Sequence, residues 1–360
     1  MTPSLVAFDG WALAYTPFSP AAIHLLTLLE ENSNPDNSLV FLPAPTLHPL
    51  PRRVKGFISV AIHLTRSRFL WEQFVLPRLA ARCGAAELHL VTPTPALAGQ
   101  VPMTCSPTQW GPASRQPAGL PERLRRSLAA GGMANLRRLD WPADLPVPNT
   151  GRPVRVQPVR VHPLFMADGP ILAQPSQFRA IQRPGLPQVD LVSTPFFLYA
   201  GPADSNSLRL LLAGWNWAAP ALGNDVSLVL PNLSSAGRES LLKLTLGTEF
   251  APTVLPVQTS TLTELAWLYR QYAAVIQLGP SQPWGDPAAL ALAAQRPLVA
   301  VDEPFTAARV GPAAFLTPPG DPRLLGAALV TVATDAAVGE TLVNAAHQRV
   351  LDWLDVGIGP

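Results

Sequence analysis

The sequence of 360 residues is poor in several residue types that carry common functions. Its two cysteines, Cys83 and Cys105, are too few and too isolated to form a disulfide framework or a thiolate metal site. Lysine occurs only as Lys55 and Lys243, so nearly every basic residue is an arginine. The six histidines show no metal-ligand spacing among themselves. The sequence therefore predicts no bound metal and no disulfide scaffold.

Charged residues are also scarce. They make up 14% of the chain, and the formal net charge is only +2. A balance this small gives no reason to expect a nucleic-acid partner from bulk electrostatics. Hydrophobic residues make up 48%, which indicates a folded protein with substantial cores. At this length we expect two domains of ordinary size.

Long apolar runs are absent as well. The N-terminus has no basic region followed by an apolar core, and no uncharged apolar run approaches the ~20 residues that span a bilayer. We therefore expect a soluble cytoplasmic protein. Basic residues do cluster at one place, with leucines between them: Arg123, Arg125, Arg126, Arg137 and Arg138. A solvated amphipathic helix explains this cluster, and peripheral contact with phosphate or anionic lipid is the alternative.

Short apolar runs between turn residues alternate with helical patterns in both halves of the chain. This alternation predicts mostly parallel sheets joined by right-handed crossovers. The predicted strands are residues 5–9, 38–43, 57–64, 87–91, 101–105, 196–201, 226–230, 254–257, 274–278 and 298–301. The clearest helices cover residues 68–82, which end at the left-handed cap position of Gly84, and residues 338–354.

The most informative stretch covers residues 264–322. It reads as helix, buried strand, loop, helix, buried strand and turn, followed by a helix that Asp321-Pro322 opens. The order of these elements and their residues resemble the donor-nucleotide half of family 4 (group 1) glycosyltransferases. The run from Phe69 to Pro77 leading to Gly84 is similar to their acceptor-side domain. The resemblance implies the α/β GT-B fold, in which two Rossmann-like domains with mostly parallel sheets face a cleft.

On this resemblance the chain divides into three parts. Residues 1–165 form an N-terminal acceptor-side Rossmann-like domain, residues 166–194 form the interdomain connection, and residues 195–360 form a C-terminal donor-side Rossmann-like domain. The connection is rich in proline and glutamine and has weak periodicity, which is typical of a linker.

The family's donor-site chemistry is absent at the matching positions. The resemblance implies an arginine and a lysine after the first strand of the second domain, where Pro202 and Asn206 stand. It also implies two glutamates eight positions apart, which fall near Gln282 and on Leu290. Neither Pro202 nor Asn206 can neutralise a diphosphate, and Leu290 is most simply a packing residue. Asp204 is expected to cap the following helix.

Any surviving site is expected beyond the carboxyl ends of the strands. The candidate cleft residues are Pro202, Ser205, Asn206, Gln282, Trp284 and Asp286. Asp286, followed by Pro287, has two interpretations, an ordinary helix cap and a ligand contact. On the acceptor side, residues 15–20 form a proline-containing turn that suits close approach to a ligand poorly.

The histidine that the family often places after the strand at 101–105 falls near Ser106. Two histidines elsewhere in the first domain have ordinary explanations. His89 lies inside a strand, where a hydrogen-bonded core histidine is the commoner case. His162 precedes Pro163 close to the expected domain junction and is a weak functional candidate.

Two hypotheses follow. The first is a catalytically inactive glycosyltransferase-like protein that acts as a structural or regulatory partner in a complex, binds no cofactor, and associates with a partner protein or with itself. The alternative is a divergent retaining glycosyltransferase with a nucleotide-sugar donor. After the helix at 338–354 only a short Gly/Pro tail follows. We therefore expect exposed apolar surface on the first domain and an oligomer or larger complex.

Overall fold

The computed structural model describes residues 4–31, 37–44, 58–61, 67–110, 127–128, 130–170, 172, 179–180, 191, 194–271 and 273–355. The chain divides into two compact units. The first unit comprises Met1–His162 and Gln282–Asp286, and the second comprises Pro163–Ser281 and Pro287–Pro360. Each unit is built around one twisted sheet.

The first unit contains a sheet of seven parallel strands in the order β3-β2-β1-β4-β5-β6-β7. The strands are β1 (Val6–Asp9), β2 (Ser38–Leu42), β3 (Ile58–Ala61), β4 (Glu87–Leu90), β5 (Met103–Cys105), β6 (Leu136–Pro142) and β7 (Val154–Gln157). Its helices are α1 (Trp11–Tyr15), α2 (Pro20–Glu31), α3 (Arg68–Leu70) and α4 (Leu76–Arg82). A π turn, Trp71–Val75, joins α3 to α4.

The second unit repeats this plan. Its sheet has the order β14-β13-β12-β9-β10-β11-β8, and only the β8–β11 pair is antiparallel. The strands are β8 (Arg179–Ala180), β9 (Phe196–Tyr199), β10 (Ser227–Pro231), β11 (Val254–Gln258), β12 (Ala274–Gln277), β13 (Leu298–Val301) and β14 (Phe315–Thr317). The helices are α5 (Ser205–Leu222), α6 (Ser235–Thr245), α7 (Leu262–Gln271), α8 (Pro287–Ala293), α9 (Pro304–Val310), α10 (Pro322–Thr334) and α11 (Ala336–Asp355).

Local sequence signals set the helix boundaries. The carboxylate of Asp321 accepts hydrogen bonds from the amides of Arg323 and Leu324, so Asp321-Pro322 starts α10 as the sequence predicts. Helix α4 ends at Gly84, whose φ of 69° is the left-handed conformation that favours glycine. In both sheets the strand order reverses beside the first parallel strand of the unit, between β1 and β4 and between β9 and β12. Ligands of such sheets bind outside the carboxyl ends of these strands.

One prediction about local structure is wrong. Arg137 and Arg138 lie on β6 rather than on an amphipathic helix. The register between β5 and β6 shifts here, with Leu136 opposite Met103 and Arg138 opposite Thr104, so Arg137 is an extra residue at a bulge. The guanidinium of Arg138 instead pairs with Asp140 at 2.7 Å and with Glu87 at 3.6 Å. Arg123, Arg125 and Arg126 lie outside the described residues, and the amphipathic helix predicted for this cluster does not exist at its two described members.

Candidate functional site

Asp9 ends β1 at the carboxyl edge of the first sheet, where it anchors α1. Its Oδ1 accepts hydrogen bonds from the amide of Trp11 at 3.0 Å and from the indole Nε1 of Trp71 at 2.8 Å. Burial raises the pKa of this carboxyl, and the two hydrogen bonds oppose that shift. Gly10 follows in van der Waals contact with β2, since a Cβ there would lie 2.5 Å from the carbonyl oxygen of Phe41. A short helix with a buried tryptophan thus follows β1 directly.

The π turn directs three consecutive side chains into the first unit. Besides Trp71, it buries Glu72, whose Oε1 accepts hydrogen bonds from Arg68 at 2.8 Å and from the hydroxyl of Thr94 at 2.9 Å. It also buries Gln73, whose Oε1 accepts from the amide of Leu97 at 3.0 Å. A regular α-helix spreads successive residues around its axis, so the π turn accounts for this run of buried polar groups.

Two histidines converge on Ser106, immediately after β5. The Nε2 atoms of His24, from α2, and of His89, from β4, each lie 2.8 Å from the Ser106 hydroxyl oxygen. Thr104 continues the chain of contacts, because its hydroxyl donates to the Glu87 carboxylate at 2.7 Å and lies 3.1 Å from His89 Nδ1. His24, His89 and Ser106 are buried.

Hydrogen-bond valence fixes the proton positions in this chain. The single hydroxyl proton of Thr104 goes to Glu87, so the Thr104 oxygen accepts from the Nδ1–H of His89. His89 Nε2 then accepts from the Ser106 hydroxyl, and the Ser106 oxygen accepts from the Nε2–H of His24. Among the described residues His24 Nδ1 has no hydrogen-bond partner. Burial lowers the pKa of both imidazoles, well below 6.5 for His24, and this agrees with neutral rings.

The loop Gln282–Asp286 belongs to the first unit and covers His24. The indole of Trp284 stacks on the His24 imidazole with ring centres 5.0 Å apart and an interplanar angle of 12°. The indole nitrogen donates to the carbonyl oxygen of Asp140 at 3.0 Å. Gln282 Oε1 accepts from the amide of Trp110 at 2.7 Å, and Asp286 Oδ1 accepts from the amide of Gln282 at 3.2 Å. The buried Trp284 therefore fills the carboxyl edge of this sheet.

Gly285 lets this loop approach α2. Its φ is 65°, and a Cβ at this position would lie 2.2 Å from the carbonyl oxygen of Pro20. Both the backbone conformation and the contact therefore require glycine here.

The carboxyl edge of the second sheet is organised by Asp204, which is the N-cap of α5. Its Oδ1 accepts from the amides of Asn206 at 3.0 Å and Ser207 at 3.1 Å, and its Oδ2 accepts from the Ser207 hydroxyl at 2.7 Å. Partial burial opposes ionisation, yet these hydrogen bonds hold the pKa of Asp204 below its usual value. A negative charge therefore occupies the helix N-terminus that would otherwise attract an anion.

The other predicted positions of the second unit are uncharged. Pro202, Ser205 and Asn206 are exposed on this unit, and the Pro202 carbonyl accepts a hydrogen bond from the Tyr199 hydroxyl at 2.6 Å. Leu290 lies on α8 and is 2% exposed, as the packing interpretation of that residue predicts. No cation or carboxylate stands at these matched positions.

The arrangement has chemical consequences at each edge. The first edge offers neutral imidazoles and hydroxyls that can relay a proton, under a tryptophan cover. The second edge offers a carboxylate at a helix terminus. Over the described ranges, no group of three or more His, Cys, Asp or Glu side chains could hold a metal ion.

Sequence reasoning missed the His24–Ser106–His89 chain. His24 and Ser106 are 82 residues apart, and Asp9 and Trp71 are 62 apart. The usable signal was the position of Ser106 directly after a strand, together with a histidine inside the neighbouring strand. The role of Trp284 was equally hidden, because its hydrogen-bond acceptor lies 144 residues away.

A test for membrane-spanning segments finds no single helix of sufficient length and apolarity in the described residues. Helices α10 and α11 pass that test only as a pair, and they meet at a 92° bend.

No protein-family model and no curated protein matches the sequence. Solved structures do match over nearly the whole chain. WaaG, a glycosyltransferase involved in lipopolysaccharide biosynthesis, matches with a TM-score of 0.69 at 12% identity, covering 99% of this chain and 100% of that chain. Sucrose-phosphate synthase from Thermosynechococcus elongatus matches with a TM-score of 0.68 at 15% identity, covering 99% and 97%.

A third similar structure is Anabaena HepE in complex with UDP and glucose. Its TM-score is 0.67 at 13% identity, and the match covers 99% of this chain and 97% of that chain. At such identities the similarity establishes the fold alone. The chain has the two-domain, Rossmann-like GT-B fold of these glycosyltransferases, and the fold prediction is confirmed.

Proposed function

We propose that this chain is a glycosyltransferase-like protein that does not transfer sugars from nucleotide donors and acts as a structural or regulatory partner in a complex. The observation that carries the proposal is the Asp204 carboxylate at the N-terminus of α5. It takes the amide hydrogens of Asn206 and Ser207, which are the donors that a phosphate would need.

Charge strengthens this argument. A leaving nucleotide diphosphate is a dense negative charge, and transfer requires cations that stabilise it as it departs. The ionised Asp204 repels such a group, and Pro202 and Asn206 supply no cation at the positions that the family resemblance indicates. Each missing charged contact is worth about 1.5–3 kcal/mol. The losses fall on the same reaction step.

The first unit supports the same conclusion because its own side chains occupy the site, rather than through charge. Trp284 stacks on His24, and α1 fills the turn after β1, so the protein's own side chains occupy the carboxyl edge of the first sheet. Buried aromatic groups at such an edge stabilise the fold and leave little room there for a second sugar.

The alternative function is a divergent retaining glycosyltransferase with a nucleotide-sugar donor. The observation that favours it is the chain His24–Ser106–His89, because neutral imidazoles at a sheet edge are suited to proton transfer. This function would require Trp284 to leave His24 before an acceptor hydroxyl could approach.

An assay of nucleotide release tests the proposed loss of transfer. The protein is incubated with UDP-, GDP- and ADP-sugars, and the nucleoside diphosphate set free is measured against a buffer blank. We expect no release above the blank. If the wild-type protein releases nucleoside diphosphate and the His24→Gln variant does not, the alternative function is established.

The partner role has a separate test. Light scattering gives the mass of the isolated protein, and affinity capture from its native cell extract recovers what binds it. We expect an oligomer or a defined complex. A monomer that recovers no specific protein would contradict the partner role and leave the donor question untouched.

A further inference from the structure

A cavity of about 260 Å³ lies on one face of the first sheet, beside the hydrogen-bonded chain that contains His89. We call it the sheet-face cavity. It is lined by Phe8, Leu28, Glu31, His89, Asp140, Arg155, Gln157 and Arg160. Phe8 and His89 come from the strands β1 and β4, and Leu28 and Glu31 come from the last two turns of α2. The remaining wall is formed by β6, β7 and the residues just after β7.

The polar wall is built by strand register. Asp140 on β6 pairs directly with Arg155 on β7, and Gln157 lies two residues further along the same strand. Residues two apart on a strand share a face, so Arg155 and Gln157 point to the same side of the sheet. Asp140 and Gln157 are buried, whereas Arg155 is exposed. The cavity therefore has ordered polar groups at its base and a charged group at its mouth.

Most charges of the cavity already have partners. Arg160 pairs with Glu31 at 3.1 Å and donates to the side-chain oxygen of Gln157. Asp140 pairs with Arg138 at 2.7 Å. Arg155 is the exception, because its guanidinium makes no ion pair or hydrogen bond within the described part of the chain. One guanidinium at the mouth is thus available to an anion.

We infer that the sheet-face cavity binds a small hydroxylated anion of the sugar-acid or sugar-phosphate class. Arg155 holds the carboxylate or phosphate, since a guanidinium matches the geometry of either group. The carboxylate of Glu31 and the amide nitrogen of Gln157 hydrogen-bond to hydroxyl groups. Phe8 and Leu28 contact the apolar carbon face of the ligand.

Size limits the ligand to one small molecule. The volume of the cavity is about 260 Å³. It falls just below the range of about 300–1,000 Å³ that is typical of drug-sized ligands. A single sugar acid or pentose phosphate fits this space, whereas a nucleotide-sugar exceeds it. The inference is therefore independent of the proposed loss of nucleotide-sugar transfer.

Calorimetric titration of the full-length protein tests this site. The probes are gluconate for the sugar acid and ribose 5-phosphate for the sugar phosphate. Sorbitol and ribose serve as the uncharged counterparts, and acetate and inorganic phosphate serve as the bare anions. We expect one of the two hydroxylated anions to bind at least ~10-fold more tightly than its uncharged counterpart and its bare anion. The better probe identifies the class.

Two arginine variants make the test specific. Arg155→Gln should weaken that binding at least ~10-fold, because the charge-assisted contact is lost. Arg209→Gln is the matched control. Arg209 is exposed on α5 of the second unit and does not line the sheet-face cavity, so its removal should leave affinity unchanged. Thermal melting confirms that both variants are folded.

Three results would overturn the inference. The first is the absence of binding by both hydroxylated anions in the millimolar range. The second is binding that Arg155→Gln leaves unchanged, which would place the ligand elsewhere. The third is a bare anion that binds as tightly as the hydroxylated one, which would remove the role of Glu31 and Gln157.

Discussion

The two units share one sheet topology and differ in the chemistry of their interiors. Among the described residues, the buried Asp, Glu and His side chains all belong to the first unit: Asp9, His24, Glu72, His89, Asp140, His162 and Asp286. The second unit encloses a hydrophobic cluster that includes Phe197, Trp215 and Leu329. Among its described residues, the one buried charged side chain is Arg309.

This comparison shows that two units with the same sheet topology can bury side chains of different chemistry. The second unit keeps a packed core and presents a capping carboxylate, Asp204, at its sheet edge. The first unit keeps a network of polar groups that cost free energy to bury unless each is hydrogen-bonded. Among the described residues, the buried acidic and histidine side chains are therefore concentrated in the first unit.

The largest expected effect tests the core of the second unit. Trp215 is fully buried, packs against Phe197 and donates its indole N–H to Thr253 at 2.9 Å. Trp215→Ala should lower the free energy of unfolding by about 3–5 kcal/mol, measured by urea titration. Trp217, two residues later, is 53% exposed and stacks on Arg323, so Trp217→Ala should cost only about 1 kcal/mol. Equal losses would contradict the assignment of the core.

The next effect concerns the polar network of the first unit. Ser106→Ala removes the hydroxyl that lies between two buried imidazoles, which leaves a donor on His24 and an acceptor on His89 unpaired. We expect a loss of about 1–3 kcal/mol in the free energy of unfolding.

A buried threonine on α2 provides the control. Thr27 bonds the carbonyl of Ile23, one turn back on the same helix, so Thr27→Val should be nearly neutral. If Ser106→Ala were equally neutral, the hydrogen-bonded chain would not stabilise the unit.

The cap of α5 should contribute less. Asp204→Ala removes the acceptor for the amides of Asn206 and Ser207, and we expect a loss of about 1 kcal/mol. Asp204→Ser keeps a capping oxygen without the charge and should restore most of that stability. A serine variant as unstable as the alanine variant would show that charge, rather than capping, stabilises the helix.

The last expected effect is a pH dependence of the first unit between pH 7 and pH 5. Burial lowers the folded-state pKa of His24 and His89 below 6.5, so the unfolded chain binds more protons as the pH falls below that value. Stability is therefore fully present above pH 6.5 and decreases below it. Asp9, with a raised pKa, acts in the opposite direction at lower pH.

Hydrogen exchange of first-unit peptides between pH 7 and pH 5 measures this change. Exchange should speed up relative to the intrinsic rate in the wild type, and His24→Gln should reduce the pH dependence. Protection that stays constant over this interval would show that the imidazoles keep their ordinary pKa values.

The sequence allowed the framework to be predicted because its signals are local. Apolar runs between turn residues marked β1, β4, β9, β12 and β13, and Asp204 lay where a helix cap was expected. The wrong assignment was Arg137 and Arg138, whose interleaved leucines satisfy a helix and a strand about equally well over a short run.

The candidate site resisted prediction because its contacts are distant in sequence. Neither α2 nor β4 carries a local mark that brings His24 and His89 to Ser106. The π turn at Trp71–Val75 also has no sequence signal, yet it turns Trp71 toward Asp9. Such contacts depend on the order of the strands in the sheet.

The measurement that tests the central claim most directly is calorimetric titration of the wild-type protein with UDP-, GDP- and ADP-sugars. With Asp204 at the helix N-terminus and no cation at Pro202 or Asn206, the account predicts no measurable binding at sub-millimolar concentrations. The substitutions Pro202→Arg and Leu290→Glu together should not produce transfer activity, since they leave the Gln282–Asp286 loop unchanged. A micromolar dissociation constant for any of the three donors would contradict the account.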